Sequence, residues 1–183
     1  MEVRGTEIEG IKLLAPVRYE DVRGSFSEIY NAEHFRQSGI ACTFVLDSLS
    51  LSHRPGTVRG LHFQAPPHAQ DKLIWVARGA VFDVVVDIRA ASPTFGRHCA
   101  FRLDARTGTQ LFVPKGFLHG FCTLELDTEV VYKLSALYAP EAEYGVLWND
   151  PDLDIEWPVS PAAAILSAKD ATAPRLRDVP RFF

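Results

Sequence analysis

Short runs of strand-forming residues, separated by turn signals, recur through most of this chain and leave few folds open. They are CTFVLDSLSLS (42–52), TVRGLHFQ (57–64), DKLIWVARG (71–79), AVFDVVVDIR (80–89), RHCAFRLDA (97–105), TQLFVPKGFLHGFCTLE (109–125) and TEVVYKLSALY (128–138). Their regular spacing, with Gly, Pro, Asp and Ser between them, is the pattern of a β-sandwich or barrel rather than of alternating βα units. One short helix is expected at NAEHFRQSG (31–39), with Asn31 as N-cap and Gly39 just past the end. The tail from Trp157 onward carries prolines at 158, 161, 174 and 180 and reads as irregular or partly helical chain laid on the body. At 183 residues, with no repeat, low-complexity tract or linker, 1–183 reads as a single all-β domain.

Composition narrows the function. Apolar residues make up 47% and charged residues 23%, an ordinary globular balance. A net charge of −4 gives no reason to expect nucleic acid or an anionic membrane as partner. No apolar run approaches the roughly 18 residues of a membrane span, and the start, MEVRGTEIEG, lacks the apolar core of a signal peptide. Cys42, Cys99 and Cys122 are odd in number and show no paired spacing, so neither a disulfide framework nor a cysteine zinc site is indicated. A cytoplasmic protein is expected.

The stretch VRGLHFQ (58–64) carries Arg59, His62 and Gln64 among strand formers. Strict alternation puts His62 and Gln64 on one face and Arg59 on the other. A glycine inside a strand often marks a bulge, however, and a bulge at Gly60 would bring Arg59 and His62 toward one cavity. In DKLIWV, Lys72 shares a face with Ile74 and Val76, an unusual inward lysine. PKGFLHGF (114–121) has the PxGxxH spacing of the second motif of the cupin superfamily, a double-sheet jelly roll. The first cupin motif supplies HxH and a glutamate to a metal. Here it reads HFQ, with Gln64 in place of the second histidine and no glutamate following. His62 and His119 alone fall short of the three or four ligands zinc or iron usually takes, and His68 sits in the PPHAQ loop without partner spacing, so no metal is expected. Chemistry within reach of His, Lys and Tyr without metal is proton abstraction beside a carbonyl. Histidine serves as base, a cation stabilises the enolate, and tyrosine returns a proton on the other face. His62, Lys72 and Tyr132 supply those parts.

Over essentially its whole length the chain resembles the dTDP-4-dehydrorhamnose 3,5-epimerase family. The matching segments include DVRGSFSEIY (21–30), VRGLHFQAPPHAQDKLI (58–74), VFDVVVDIR (81–89), SPTFG (92–96), LFVPKGFLHGF (111–121), YAPEAEYGVLWNDPDLDIEWP (138–158) and LSAKDATAP (166–174). The resemblance implies a cupin-type jelly roll, usually a homodimer, that works without metal or organic cofactor. Its substrate would be dTDP-4-dehydro-6-deoxy-glucose, converted toward dTDP-4-dehydro-L-rhamnose. Carried over by residue, it makes His62 the general base, Asp170 its carboxylate partner, Lys72 the enolate stabiliser and Tyr132 the acid. It puts His119 and Arg59 at the sugar pocket, with Arg59 and Arg23 toward the diphosphate. Phe26 and Tyr138 would hold the thymine, and Glu28 would add a polar contact to the nucleoside.

The chain departs from the family at VLDSLSLS (45–52), where members commonly read VQDNHSRS. Leu46 stands for a glutamine, Ser48 for an asparagine and Leu51 for an arginine, which removes hydrogen-bonding groups associated with the nucleotide or sugar pocket. Three alternatives therefore stay open: an epimerase acting at C3 or C5 alone, a sugar-nucleotide-binding module without catalysis, and a metal-dependent cupin enzyme.

Overall fold

The computed structural model describes residues 1–183. Two antiparallel sheets face each other, and apart from the β1–β2 and β8–β9 pairs the neighbouring strands in each are not consecutive in the chain. The first runs in the order β1 (Glu2–Gly5), β2 (Lys12–Ala15), β10 (Gln110–Val113), β7 (Lys72–Arg78), β12 (Thr128–Leu134) and β5 (Leu46–Ser52). The second runs β13 (Glu143–Gly145), β6 (Val58–Gln64), β11 (Phe117–Thr123), β8 (Ala80–Asp87) and β9 (His98–Asp104). A separate hairpin pairs β3 (Arg18–Asp21) with β4 (Gly24–Ser27). This is the expected double-sheet roll.

Alternation decides which residues meet between the sheets. Ile74 and Val76 of β7, Val81 and Val85 of β8, Leu111 and Val113 of β10, Phe117 and Phe121 of β11 and Val130 of β12 form one buried cluster. The opposite face of the second sheet is covered too. Leu61, Phe63, Val84, Val86 and Leu118 pack there against Trp157, Leu176, Val179, Phe182 and Phe183 of the C-terminal tail. Double coverage explains why β8 reads AVFDVVVD, apolar on both faces. Fully burying one such side chain stabilises by about 1.5–3 kcal/mol.

On the outer face of the first sheet, α1 (Ala32–Gln37) seats Phe35 against Leu14, Leu73 and Phe112. The Asn31 side chain accepts from the Glu33 and His34 amides, and Gly39 adopts a φ of +75°, so both expected helix ends are present. The cover stops short of β5, where Leu49 and Leu51, with Val45 just before the strand, remain exposed. The long run 109–125 is two strands, β10 and β11. Pro114 has no N–H to give a ladder, and Gly116 turns the chain at a φ of +91°. In the tail, α2 (Ala168–Ala171) is a single turn capped by the Ser167 hydroxyl. No helix is long and apolar enough to cross a membrane.

Candidate active site

Between the two sheets lies a cavity of about 680 Å³ lined by Ser48, Ser50, Arg59, His62, Lys72 and His119, with Tyr132, Tyr138, Glu143, Lys169 and Asp170 among the other residues. The local cause of its polar lining on β6 is Gly60. Opposite it, β11 spans His119 to Phe121 in two residues where β6 spans His62 to Arg59 in three, so β6 carries the extra residue of a bulge. The bulge turns Arg59 and His62 into the same space, while Leu61 and Phe63 keep to the outer core. Gly60 holds a φ of +120°, and a Cβ there would stand 2.6 Å from the Gly120 Cα.

The His62 Nε2 lies 2.6 Å from Asp170 Oδ1. Burial pushes the Asp170 carboxyl up, but the His62 hydrogen bond and charge, aided by the Gly60 amide, outweigh it and leave the group below the ordinary carboxylate range. A second imidazole–carboxylate pair sits deeper. His119 Nε2 is 2.9 Å from both oxygens of Asp83, a fully buried residue in the inward row of β8 between Val81 and Val85. Burial raises the Asp83 carboxyl, with His119 and Lys72 opposing.

Lys72 occupies the inward row of β7 and donates to the His62 carbonyl at 3.3 Å. Protein surrounds it except where it faces the cavity. That burial lowers its ammonium to about 8, despite the pull of Asp83 and Glu143. Tyr132, also inward, stands edge-on to His119 with ring centroids 6.3 Å apart, and burial pushes its phenol well above the usual range. Arg59 donates to the Ser52 hydroxyl and the Leu51 carbonyl, both at 3.1 Å, and has no carboxylate partner. At the mouth, Tyr138 donates to Glu143 at 2.7 Å, and Glu143 also pairs with Lys169 at 2.5 Å.

Seven sequence-predicted residues therefore share one cavity: Arg59, His62, Lys72, His119, Tyr132, Tyr138 and Asp170. Arg23, Phe26 and Glu28 do not. Arg23 pairs with Asp21, Phe26 is 70% exposed on β4, and Glu28 pairs with His34, all outside the cavity lining of their own chain. Gln64, which alternation places on the His62 face, does not line the cavity, a correction to that placement. Its amide donates to the His68 and Leu137 carbonyls and accepts from the Ala139 N–H, so it pins the segment carrying Tyr138 rather than facing the cavity. Of the departures at 45–52, Ser48 lines the cavity and Leu46 does not. Sequence reasoning passed over Asp83, Glu143 and Lys169. A carboxylate alone in the apolar run VFDVVVD was a signal for Asp83, and Lys169 adjoins Asp170 in SAKD. Nothing local marked Glu143.

The arrangement offers an imidazole paired with a carboxylate, a buried cation, a phenol and a guanidinium free of any carboxylate around one space. No group of three or more His, Cys, Asp or Glu side chains is placed to hold a metal ion.

The dTDP-4-dehydrorhamnose 3,5-epimerase family profile matches residues 5–178. A Sinorhizobium fredii dTDP-4-dehydrorhamnose 3,5-epimerase is 44% identical over 183 residues, covering 100% of this chain and 93% of the relative. The structure of the Bacillus anthracis dTDP-4-dehydrorhamnose 3,5-epimerase with TDP and PPi bound superposes with a TM-score of 0.92 at 47% identity, over 95% of this chain and 98% of that one. The Legionella pneumophila dTDP-6-deoxy-D-glucose-3,5-epimerase in complex with dTDP-4-keto-L-rhamnose gives 0.93 at 39% identity, over 98% and 94%. With this similarity running through both sheets and the residues around their shared cavity, the chain belongs to the dTDP-4-dehydrorhamnose 3,5-epimerase family.

Proposed function

We propose that this protein epimerises dTDP-4-dehydro-6-deoxy-glucose at C3 and C5, giving dTDP-4-dehydro-L-rhamnose. The observation that carries the reading is the convergence of His62 with its Asp170 partner, Lys72 and Tyr132 on one cavity from both sheets. The C4 ketone acidifies the protons on C3 and C5. His62 takes such a proton, and the Asp170 carboxylate stabilises the imidazolium that forms. The electrons move onto the C4 oxygen, where the Lys72 ammonium offsets the enolate charge. Tyr132 then protonates the carbon from the opposite face, inverting it. These steps require no metal or organic cofactor.

Arg59, free of any carboxylate, suits the diphosphate, since a guanidinium fork matches phosphate oxygens. Tyr138 is exposed at the mouth and offers a face to the thymine. We read the working unit as a homodimer. The β3–β4 hairpin exposes Tyr19, Val22 and Phe26, and β5 exposes Leu49 and Leu51, apolar surface that a second copy would cover. In that unit Arg23, Phe26 and Glu28 would reach the nucleotide held by the partner subunit. A cytoplasmic setting suits three free cysteines.

One observation favours a narrower reading, inversion at a single carbon. Ser48 presents a short hydroxyl to the cavity where the family commonly has an asparagine amide, leaving the sugar less firmly oriented. Proton NMR of the substrate incubated with chelator-treated protein in D₂O tests both. Deuterium at C3 and C5 with accumulating product supports the double epimerase. Exchange at one carbon supports the narrower reading, and none at either would overturn both.

A further inference from the structure

Ser50 lies on β5, lines the same cavity, and has a buried hydroxyl with no hydrogen-bond partner. Leaving a buried polar group unpaired costs free energy, so each such group needs a reason. In this chain two buried side-chain atoms are in that state, Ser50 Oγ and Gln110 Oε1. Gln110 still donates its amide to the Ile29 carbonyl, whereas Ser50 has nothing. Two residues along the same face, the Ser52 hydroxyl accepts from Arg59 in the ordinary structural manner.

The neighbour of Ser50 is Tyr132. In the β12–β5 ladder Val130 stands opposite Ser50 and Tyr132 opposite Ser48, so the phenol and the Ser50 hydroxyl are diagonal neighbours on the inward face. They are close enough for Ser50 to favour the phenolate, yet they are not aligned into a formed hydrogen bond. A hydroxyl can accept or donate and rotates to suit. One with no fixed partner is free to reverse its role as the phenol loses its proton.

We propose that Ser50 is a positioning residue for Tyr132, accepting from the phenol before protonation of the enolate and donating to the phenolate after it. The inference rests on Tyr132 being the acid. In the proton balance, the broken C–H bond sends its proton to His62 and the new C–H bond takes the phenolic proton. Solvent then removes the proton from His62 and returns one to Tyr132. Ser50 keeps its own proton throughout and meets the negative charge left on the phenolate.

The test compares Ser50→Ala, Ser50→Thr, Tyr132→Phe and the Ser50→Ala/Tyr132→Phe pair in D₂O. Deuterium entering recovered substrate reports the His62 half, and net inversion reports the Tyr132 half. Ser50→Ala should leave exchange within about twofold of the parent and slow inversion by about tenfold, the size of one hydrogen bond to a charged group. Its Tm should be unchanged or higher, because no satisfied bond is lost. Ser50→Thr should restore inversion, and the double variant should be no slower than Tyr132→Phe. Inversion at the parent rate in Ser50→Ala, or exchange and inversion falling together with a lowered Tm, would overturn the role of Ser50. Inversion at the parent rate in Tyr132→Phe would instead overturn the acid assignment, so the two failures are distinguishable.

Discussion

His62 Nε2 and Asp170 Oδ1 are 2.6 Å apart although 108 residues separate them in the chain. The contact depends on the C-terminal tail returning to β6. The Thr57–Ile165 bridge and the bond from the Val58 amide to the Ile165 carbonyl bring the chain back. The Ser167 cap then turns α2 so that the buried Asp170 faces the imidazole, and the Gly60 amide approaches its other oxygen at 3.5 Å. Bulge, tail and imidazole are one construction.

Replacing either member of this pair should separate base from orienter. His62→Ala should abolish deuterium exchange at both carbons. Asp170→Asn keeps a hydrogen-bonding group but loses the charge that supports the imidazolium, and it should slow exchange by about 10²-fold or more. The check is the exchange rate at saturating substrate. Near-parent exchange in His62→Ala would remove the base assignment.

Lys72 should set the alkaline limit of activity. Its ammonium is lowered to about 8 from an ordinary 10.5, so enolate stabilisation should decline as pH rises above about 8. For stability the sign is opposite. Between about pH 8 and 10.5 the unfolded chain binds the proton and the folded chain does not, so stability rises with pH there. The penalty is fully present below pH 8 and amounts to roughly 3 kcal/mol. Lys72→Met should therefore lose about 10²–10³-fold in kcat, and its Tm at pH 7 should not fall, although Asp83 and Glu143 lose a cation. An unchanged pH–rate profile in Lys72→Met would refute the assignment.

The parts of this molecule that were legible in the sequence are those governed by local period and motif. Strands β5 to β12 follow from runs of strand formers between turn signals, with β10 and β11 read as one run, and Lys72 shares the inward row with Ile74 and Val76 as its spacing requires. The bulge at Gly60 was legible because a glycine interrupts an otherwise regular run. Strands β1 to β4 were not, since four-residue segments such as RYED, exposed throughout, carry no apolar period. Gln64 misled because alternation places it beside His62 but says nothing of the His68, Leu137 and Ala139 backbone groups that consume its amide. Glu143 joins the cavity only through the antiparallel pairing of β13 with β6, a contact between distant segments.

The proposed homodimer, with the hairpin outside its own chain's cavity, predicts that two chains share each site. Phe26→Ala should raise KM by about tenfold through lost stacking while leaving kcat close to the parent value. Mixing that variant with inactive His62→Ala chains discriminates further. If the hairpin completes the partner subunit's cavity, mixed dimers hold one site with His62 and Phe26 both intact, and low-KM activity returns. If the hairpin serves its own chain, mixing restores nothing. Titrating one chain against the other and measuring KM gives the answer.

Gly60→Ala should damage the site more than its size suggests. A Cβ at Gly60 would stand 2.6 Å from the Gly120 Cα and 2.8 Å from the His119 carbonyl oxygen, and both obstacles are backbone. The φ of +120° is itself one that an L side chain rarely adopts. Strain of this kind costs on the order of 1–3 kcal/mol before any clash. Relief would come from separating β6 and β11, which shifts His62 from Asp170 and His119 from its register partner. The expected result is a Tm lower by several degrees, with exchange and inversion reduced together, because base and pocket move as a unit. Thermal melts alongside the D₂O assay measure both. A variant as stable and active as the parent would show that the bulge tolerates a side chain and that Arg59 and His62 are held in the cavity by something other than Gly60.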